Sequence, residues 1–303
     1  MSAVPRPFVL ASRWHVLWLW PVRLWAAWRR RQGHYDRATL ALWWWMARWR
    51  NTPAACQEWL LFRRDLGLPW PRRARYCLPD GQRGPVRQRH AALDADGALQ
   101  ARQARERDAL QRAVRAACSQ TGVCVVGNGA GLLGQGRGAQ IDAHALVVRF
   151  NHWPRDAVAD LGQRVDLWVC APAVAIAPRG PGFEPPAAHW TVVSGPGWWS
   201  AASAGHLAVP LAVWRTLVKT LNAPPSAGVL TLAWLRELNG GWTGLQVTGI
   251  GRGPASAGRW HLARAGRRQG GRHDWGAEAA LLSRWRREGL TELPPSGHGA
   301  WSA

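Results

Sequence analysis

Lysine is almost absent: of the 39 basic residues in this 303-residue chain, Lys219 alone is a lysine. The chain is also rich in Ala, Gly and Pro, as a GC-rich coding sequence produces, so part of the arginine load reflects codon usage and not function. Cysteine is sparse. The five residues Cys56, Cys77, Cys118, Cys124 and Cys170 are odd in number, have no C-x-x-C spacing and follow no cleavable signal peptide. They read as reduced thiols in a cytoplasmic protein. Uninterrupted apolar runs are missing as well. Phe8 to Trp28 has the length of a membrane span but contains Arg13, His15, Pro21 and Arg23. An Arg near the bilayer centre costs about 2.5–3.5 kcal/mol on insertion scales, which disfavours a spanning helix. No internal repeat is visible.

What is present suffices for a folded enzyme-sized body. A hydrophobic content of 47% over 303 residues can bury a full core, as one α/β domain carrying an extension. The formal net charge of +21 is unevenly placed: 22 Arg face 8 acids up to residue 120, against 17 basic and 10 acidic residues beyond it. Nine of the 23 Trp fall in the first 50 residues, among Arg29, Arg30, Arg31, Arg48 and Arg50. Three readings of residues 8–50 stay open. One is peripheral contact with a membrane face through indoles and guanidinium groups in the headgroup layer. Another is a Trp-rich helical layer packed on the main domain. The third, nucleic-acid binding, has no recognition motif behind it and is not expected.

Residues 70–100 read as a connector rich in Pro, Gly and charge, closing a helical, basic extension over 1–120. Asp94-x-Asp96 resembles the acidic pair with which many glycosyltransferases hold a metal-diphosphate. The plainer reading is a cap for the amphipathic helix ARQARERDALQRAVRAA that follows.

From 121 to 303 the pattern is strand alternating with helix. Strands are expected at 123–126, 145–150, 165–170, 189–193 and 245–250, with helices at 211–221, 226–238 and from about 274 to 288. That alternation predicts an α/β fold with a Rossmann-like, doubly wound, mostly parallel sheet and a ligand beyond the carboxyl ends of its strands. Gly129-x-Gly131-x-x-Gly134 follows the first strand and raises a dinucleotide fingerprint, hence an NAD(P)- or flavin-dependent oxidoreductase. Against it, further glycines at 136 and 138 oppose a helix opening there, at about 1 kcal/mol each relative to Ala. The second strand ends Arg149-Phe150-Asn151, without the acid that holds a ribose.

Residues 122–166 also carry Val125-Val126-Gly127-Asn128, Gly134-x-Gly136-x-Gly138, Ile141-Asp142, His144, Val147, Arg149, Asn151, Pro154 and Asp160-x-Gly162-x-Arg164. In that order these resemble the large sialylmotif of family-29 glycosyltransferases, the eukaryotic-type sialyltransferases. Pro225-Ser226-Ala227-Gly228 before VLTLAWLREL, then LQVTGIG, resembles the family's small motif. His273 and Glu278, with four residues between them, resemble its last motif, and His261 its short third one. The resemblance covers about 120–290 and implies a GT-A-like variant of the Rossmann fold.

It also implies transfer of sialic acid, or a related sugar, from a CMP-activated donor to a glycan hydroxyl, with inversion and without a metal or other cofactor. The implied catalytic residues are His273 as base, His261 as donor to the leaving phosphate, and Glu278 bracing the motif. Asn128, Asn151, Gly127, Ser226 and Gly228 would hold the nucleotide. The bare residues allow plainer roles: helix caps for Ser226 and His273, turns for the asparagines. A helix N-terminus after His273 would favour a neutral ring, while Asp274 pulls the other way. The family's paired cysteines fall at Val123 and Gly244, so that bridge is not expected. Ala227 replaces a threonine and loses a hydroxyl, which leaves a catalytically inactive member of the family as an alternative. Acceptor recognition is expected in 171–188 and 252–272.

Overall fold

The computed structural model describes residues 13–31, 34, 36–50, 52–65, 97–171, 174, 184–195, 206–251 and 273–294. The chain forms two compact units, Met1–Asp96 and Gly97–Ala303.

In the first unit, α1 (Arg13–Arg31), α2 (Arg37–Arg50) and α3 (Pro53–Asp65) enclose Ala26, Trp43, Ala47, Cys56, Trp59 and Phe62. Alanines at 26 and 47 lie among the large rings of Trp43, Trp59 and Phe62 in this core. Asp36 caps α2 by accepting the Thr39 amide at 2.7 Å, and the same carboxylate accepts from the Arg29 guanidinium at 2.7 Å. Arg30 reaches from α1 to Glu58 of α3 at 2.8 Å.

The second unit begins with α4 (Gly97–Cys118), which buries Leu110 and Val114 and holds the carbonyl of Leu238 through Gln111 and Arg115. This helix, read from sequence as part of the extension, belongs with the sheet. The strands are β1 (Val123–Val126), β2 (Leu146–Phe150), β3 (Leu167–Cys170), β4 (Trp190–Val193), β5 (Leu207–Ala208), β6 (Leu245–Thr248) and β7 (Thr291–Glu292). Among the described residues they form one sheet in the order β5-β4-β3-β2-β1-β6-β7, every neighbouring pair parallel. The three strands β1, β2 and β3 are buried along their whole length, which is why β1 and β3 read as apolar runs and not as alternations, while β2 is apolar apart from the buried Arg149.

Short helices α5 (Gly138–Asp142) and α6 (Val158–Leu161) flank β2. The longer α7 (Leu211–Leu221) and α8 (Ala227–Asn239) carry the chain from β5 back to β6, and α9 (Trp275–Arg287) precedes β7. The winding proceeds from β1 through β5 in one direction, then resumes on the other side of β1 at β6. The direction therefore reverses between β1 and β6, where the carboxyl ends of an open parallel sheet leave a crevice. β6 stops at Thr248, short of the expected 250, because Gly249 and Gly251 take positive φ of 67° and 99°.

Candidate active site

The glycine-rich segment after β1 opens no crossover helix. A 3₁₀ turn spans Ala130–Leu132, and Gly134 and Gly136 then take φ of 77° and 61°. Their amides both donate to the carboxylate of Asp160, at 2.7 and 2.8 Å. Those two donors hold the Asp160 carboxyl below the ordinary aspartate value of 3.8. An internal anion thus occupies the amides of Gly134, the last glycine of the triplet, and of Gly136 beyond it.

Much of the rest of this segment is a brace. Arg149 is buried, donates to the carbonyls of Leu161 and Arg164, and stands 3.8 Å from Asp142. Burial lowers its guanidinium's pKa, with Asp142 opposing. Asp142 accepts the amides of Gln163 and Arg164 at 2.8 and 2.9 Å. A Cβ on Gly162 would meet the Asp142 carboxylate at 2.3 Å, and one on Gly138 would meet the Val158 carbonyl at 2.0 Å.

The two asparagines stand at the ends of β1 and β2 and present opposite chemistry. Asn128 donates its amide hydrogens to the carbonyls of Phe150 (2.9 Å) and His152 (3.2 Å), leaving Oδ1 as its acceptor. Asn151 sits at φ 46°, a left-handed conformation that Asn tolerates well. Its Oδ1 accepts from the Ala171 amide at 2.9 Å, so Nδ2 is the group it can offer. Neighbouring strand ends therefore present one acceptor and one donor.

On the other side of β1, Gly127 and Gly129 donate to the carbonyls of Thr248 and Gly249. A Cβ on Gly127 would lie 2.2 Å from the Gly249 oxygen and 2.5 Å from Ile250 Cγ1, so only glycine lets the two loops meet. Ile250 also closes on α8, 3.0 Å from where a Cβ on Gly228 would be. Gly127 and Gly228 are thereby joined through one side chain at the reversal point.

Ser226 caps α8 by accepting the Val229 amide at 3.4 Å. It is held in turn by Glu278 of α9, which accepts the Ser226 amide at 2.6 Å and its hydroxyl at 2.8 Å. Glu278 is buried, and burial raises its pKa; the two Ser226 donors oppose the shift and nearby Asp274 adds to it. With the Ser226 hydroxyl committed to Glu278, an anion at this helix end would meet the first main-chain amides of α8. Asp274 caps α9 through the Ala277 amide.

His273, immediately before that cap, places Nδ1 2.8 Å from the Pro224 carbonyl. A carbonyl only accepts, so Nδ1 carries the proton and the lone pair of the neutral ring is on Nε2. Trp275 stands edge-on to the imidazole, with ring centroids 5.1 Å apart. His273 and Glu278 are thus linked to the segment that opens α8, at Pro224 and Ser226, across 49 and 52 residues of chain. His261, the pair Asp94 and Asp96, and most of 171–188 and 252–272 lie outside the described residues.

Sequence reasoning missed Arg137, whose guanidinium donates to Thr248 Oγ1 at 2.7 Å at the end of β6. An arginine between two loop glycines was the available signal. The absent bridge has a structural counterpart. The Val123 amide donates to the Gly244 carbonyl at 2.8 Å, so the two positions adjoin, yet a Cβ on Gly244 would strike Cys118 Cβ at 2.8 Å. Cys118, Cys124 and Cys170 carry free thiols. Burial pushes them up to about 11, 12 and 12.

Two crystal structures resemble the chain weakly. The mammalian sialyltransferase in complex with Gal-β-1-3GalNAc-ortho-nitrophenol is 18% identical over 56% of this chain and 68% of its own, with a TM-score of 0.43. Another crystal structure of a mammalian sialyltransferase is 20% identical over the same shares, with a TM-score of 0.42. No curated protein matches the chain. The family model described as glycosyltransferase family 29 (sialyltransferase) matches residues 99–248, from α4 to the end of β6, while His273 and Glu278 lie beyond it. Through residues 99–248 the chain belongs to glycosyltransferase family 29, the sialyltransferase family.

Proposed function

We propose that the protein transfers a sialic acid or related keto-acid sugar from a CMP-activated donor to a glycan hydroxyl, with inversion, without a metal, and with His273 as general base. The acceptor oxygen bonds to the anomeric carbon as the bond from that carbon to the CMP phosphate breaks. The phosphate departs with the electron pair, and the hydroxyl proton passes to Nε2 of His273.

The observation that carries this reading is the Nδ1 donation of His273 to the Pro224 carbonyl, which selects the tautomer a base requires. Three further features support it. The amides opening α8 suit the negative charge of the departing phosphate. The acceptor of Asn128 and the donor of Asn151 suit ribose hydroxyl and phosphate oxygen respectively. The Asp160 carboxylate on Gly134 and Gly136 leaves those amides no pyrophosphate to hold. His261 as donor to the leaving phosphate belongs to the same proposal.

A thermal-shift titration of the full chain tests the donor assignment. CMP is expected to stabilise it, by about 2.7 kcal/mol at a hundredfold excess over Kd, and NAD(P) to leave it unchanged. Stabilisation by NAD(P) with none by CMP would overturn the reading in favour of an oxidoreductase.

A further inference from the structure

The first unit turns aromatic side chains both inward and outward. On α1, Leu19 and Ala26 are buried, while Trp20, Leu24 and Trp28 recur every four residues along the opposite side, 48%, 61% and 51% exposed, with Trp25 beside them. On α2, Thr39, Trp43, Met46 and Ala47 face the core, and Trp44, Trp45 and Trp49 face out. Among the described residues, every exposed large apolar side chain except Val158 belongs to these two helices. Seven such side chains on two packed helices exceed the scattered apolar exposure usual on a soluble protein.

Guanidinium groups lie over this aromatic surface. Arg23 and Arg50 stand 5.7 and 6.0 Å from the Trp20 ring, Arg29 5.7 Å from Trp25, and Arg48 5.6 Å from Trp44. Residues 13–65 hold ten Arg against Asp36, Glu58 and Asp65. Two of those acids are paired with Arg29 and Arg30, so the surface charge is strongly positive. No described helix is long and apolar enough to cross a membrane.

We propose that this face of α1 and α2 docks in the headgroup layer of an anionic lipid bilayer, lying in the interface and not spanning it. Indoles and Leu24 enter the upper acyl region, and Arg23, Arg48 and Arg50 meet lipid phosphates and carboxylates. Charge complementarity selects the anionic surface. Stacking on nucleic-acid bases suits it less, because the rings of Trp20, Trp25 and Trp44 already carry a guanidinium. The inference stands on the first unit alone and is independent of the transferase reading.

The test is sedimentation of the full chain with phosphatidylcholine vesicles, with and without phosphatidylserine, together with quenching of its fluorescence by lipids brominated near the headgroup. Wild type is expected to pellet with phosphatidylserine vesicles at low salt and to be quenched. Trp25→Ser, Trp28→Ser, Trp45→Ser and Trp49→Ser together, all at exposed positions, are expected to lower binding at least about tenfold with helicity retained. Arg23→Gln, Arg48→Gln and Arg50→Gln together are expected to lower it on the order of a hundredfold. Should the Trp variant fail to fold, the Arg variant and wild-type quenching still decide. Wild type remaining in the supernatant at low salt, or bound without quenching, would overturn the proposal. So would unchanged binding by either folded variant, a stable dimer that the Trp variant dissociates, or RNA displacing vesicles from the wild type.

Discussion

Asp160 shows how one carboxylate decides the character of a loop. Accepting from Gly134 and Gly136, it fixes a segment whose glycines would otherwise wander, and its pKa is depressed by those same two donors. A depressed folded-state value means that the stabilisation is fully present above the unfolded aspartate pKa, near 3.8, and is lost as pH falls through the lower folded value. Melting temperatures of wild type and Asp160→Asn should therefore differ at neutral pH and converge in acid, below the ordinary carboxylate range. A constant difference at every pH would mean that the charge on Asp160 does not matter. The asparagines work at the same scale. Their amides are oriented by main-chain partners of known polarity, so Asn128 can only present an acceptor and Asn151 only a donor.

Glu278 acts between elements. It joins the starts of α8 and α9 by taking both the amide and the hydroxyl of Ser226, out of water. Removing the carboxylate leaves a buried amide and hydroxyl without their acceptor, at about 1–3 kcal/mol. Glu278→Ala should lower stability by that amount in denaturant unfolding and slow transfer by loosening His273. Glu278→Gln, which keeps an oxygen for the amide, should recover part of both. Equal losses in the two variants would make Glu278 a packing residue only. The elements themselves were largely legible: the short, mostly apolar stretches of β1, β2 and β3 and the apolar spacing of α7 need no tertiary information. β5 and β7 were not, because two-residue strands carry no period and Thr291 and Glu292 are exposed polar residues. The partners of the site were illegible for another reason. Ser226 meets Glu278 across 52 residues, and Asp160 meets Gly134 across 26, and no local pattern records such pairings. The ordered motifs named these residues without saying which brace the loop and which face a ligand.

At the scale of the whole molecule, reversal of the winding between β1 and β6 draws these pieces to one end of the sheet. Asn151 and Asn128 follow adjacent strands, Gly127 meets Ile250, Ile250 meets α8, and α9 is fastened to the start of α8 by Glu278 and His273. These contacts gather beyond the carboxyl ends of the strands in a chain whose residues 99–248 match glycosyltransferase family 29. The measurement that bears most directly on the central claim is acceptor-dependent release of CMP from CMP-sialic acid by the full chain, wild type against His273→Ala, with galactoside and sialoside acceptors. The account predicts transfer by the wild type and none by the variant, whose CMP binding persists. Undiminished transfer by His273→Ala, or CMP binding without turnover by the wild type on any acceptor, would contradict it.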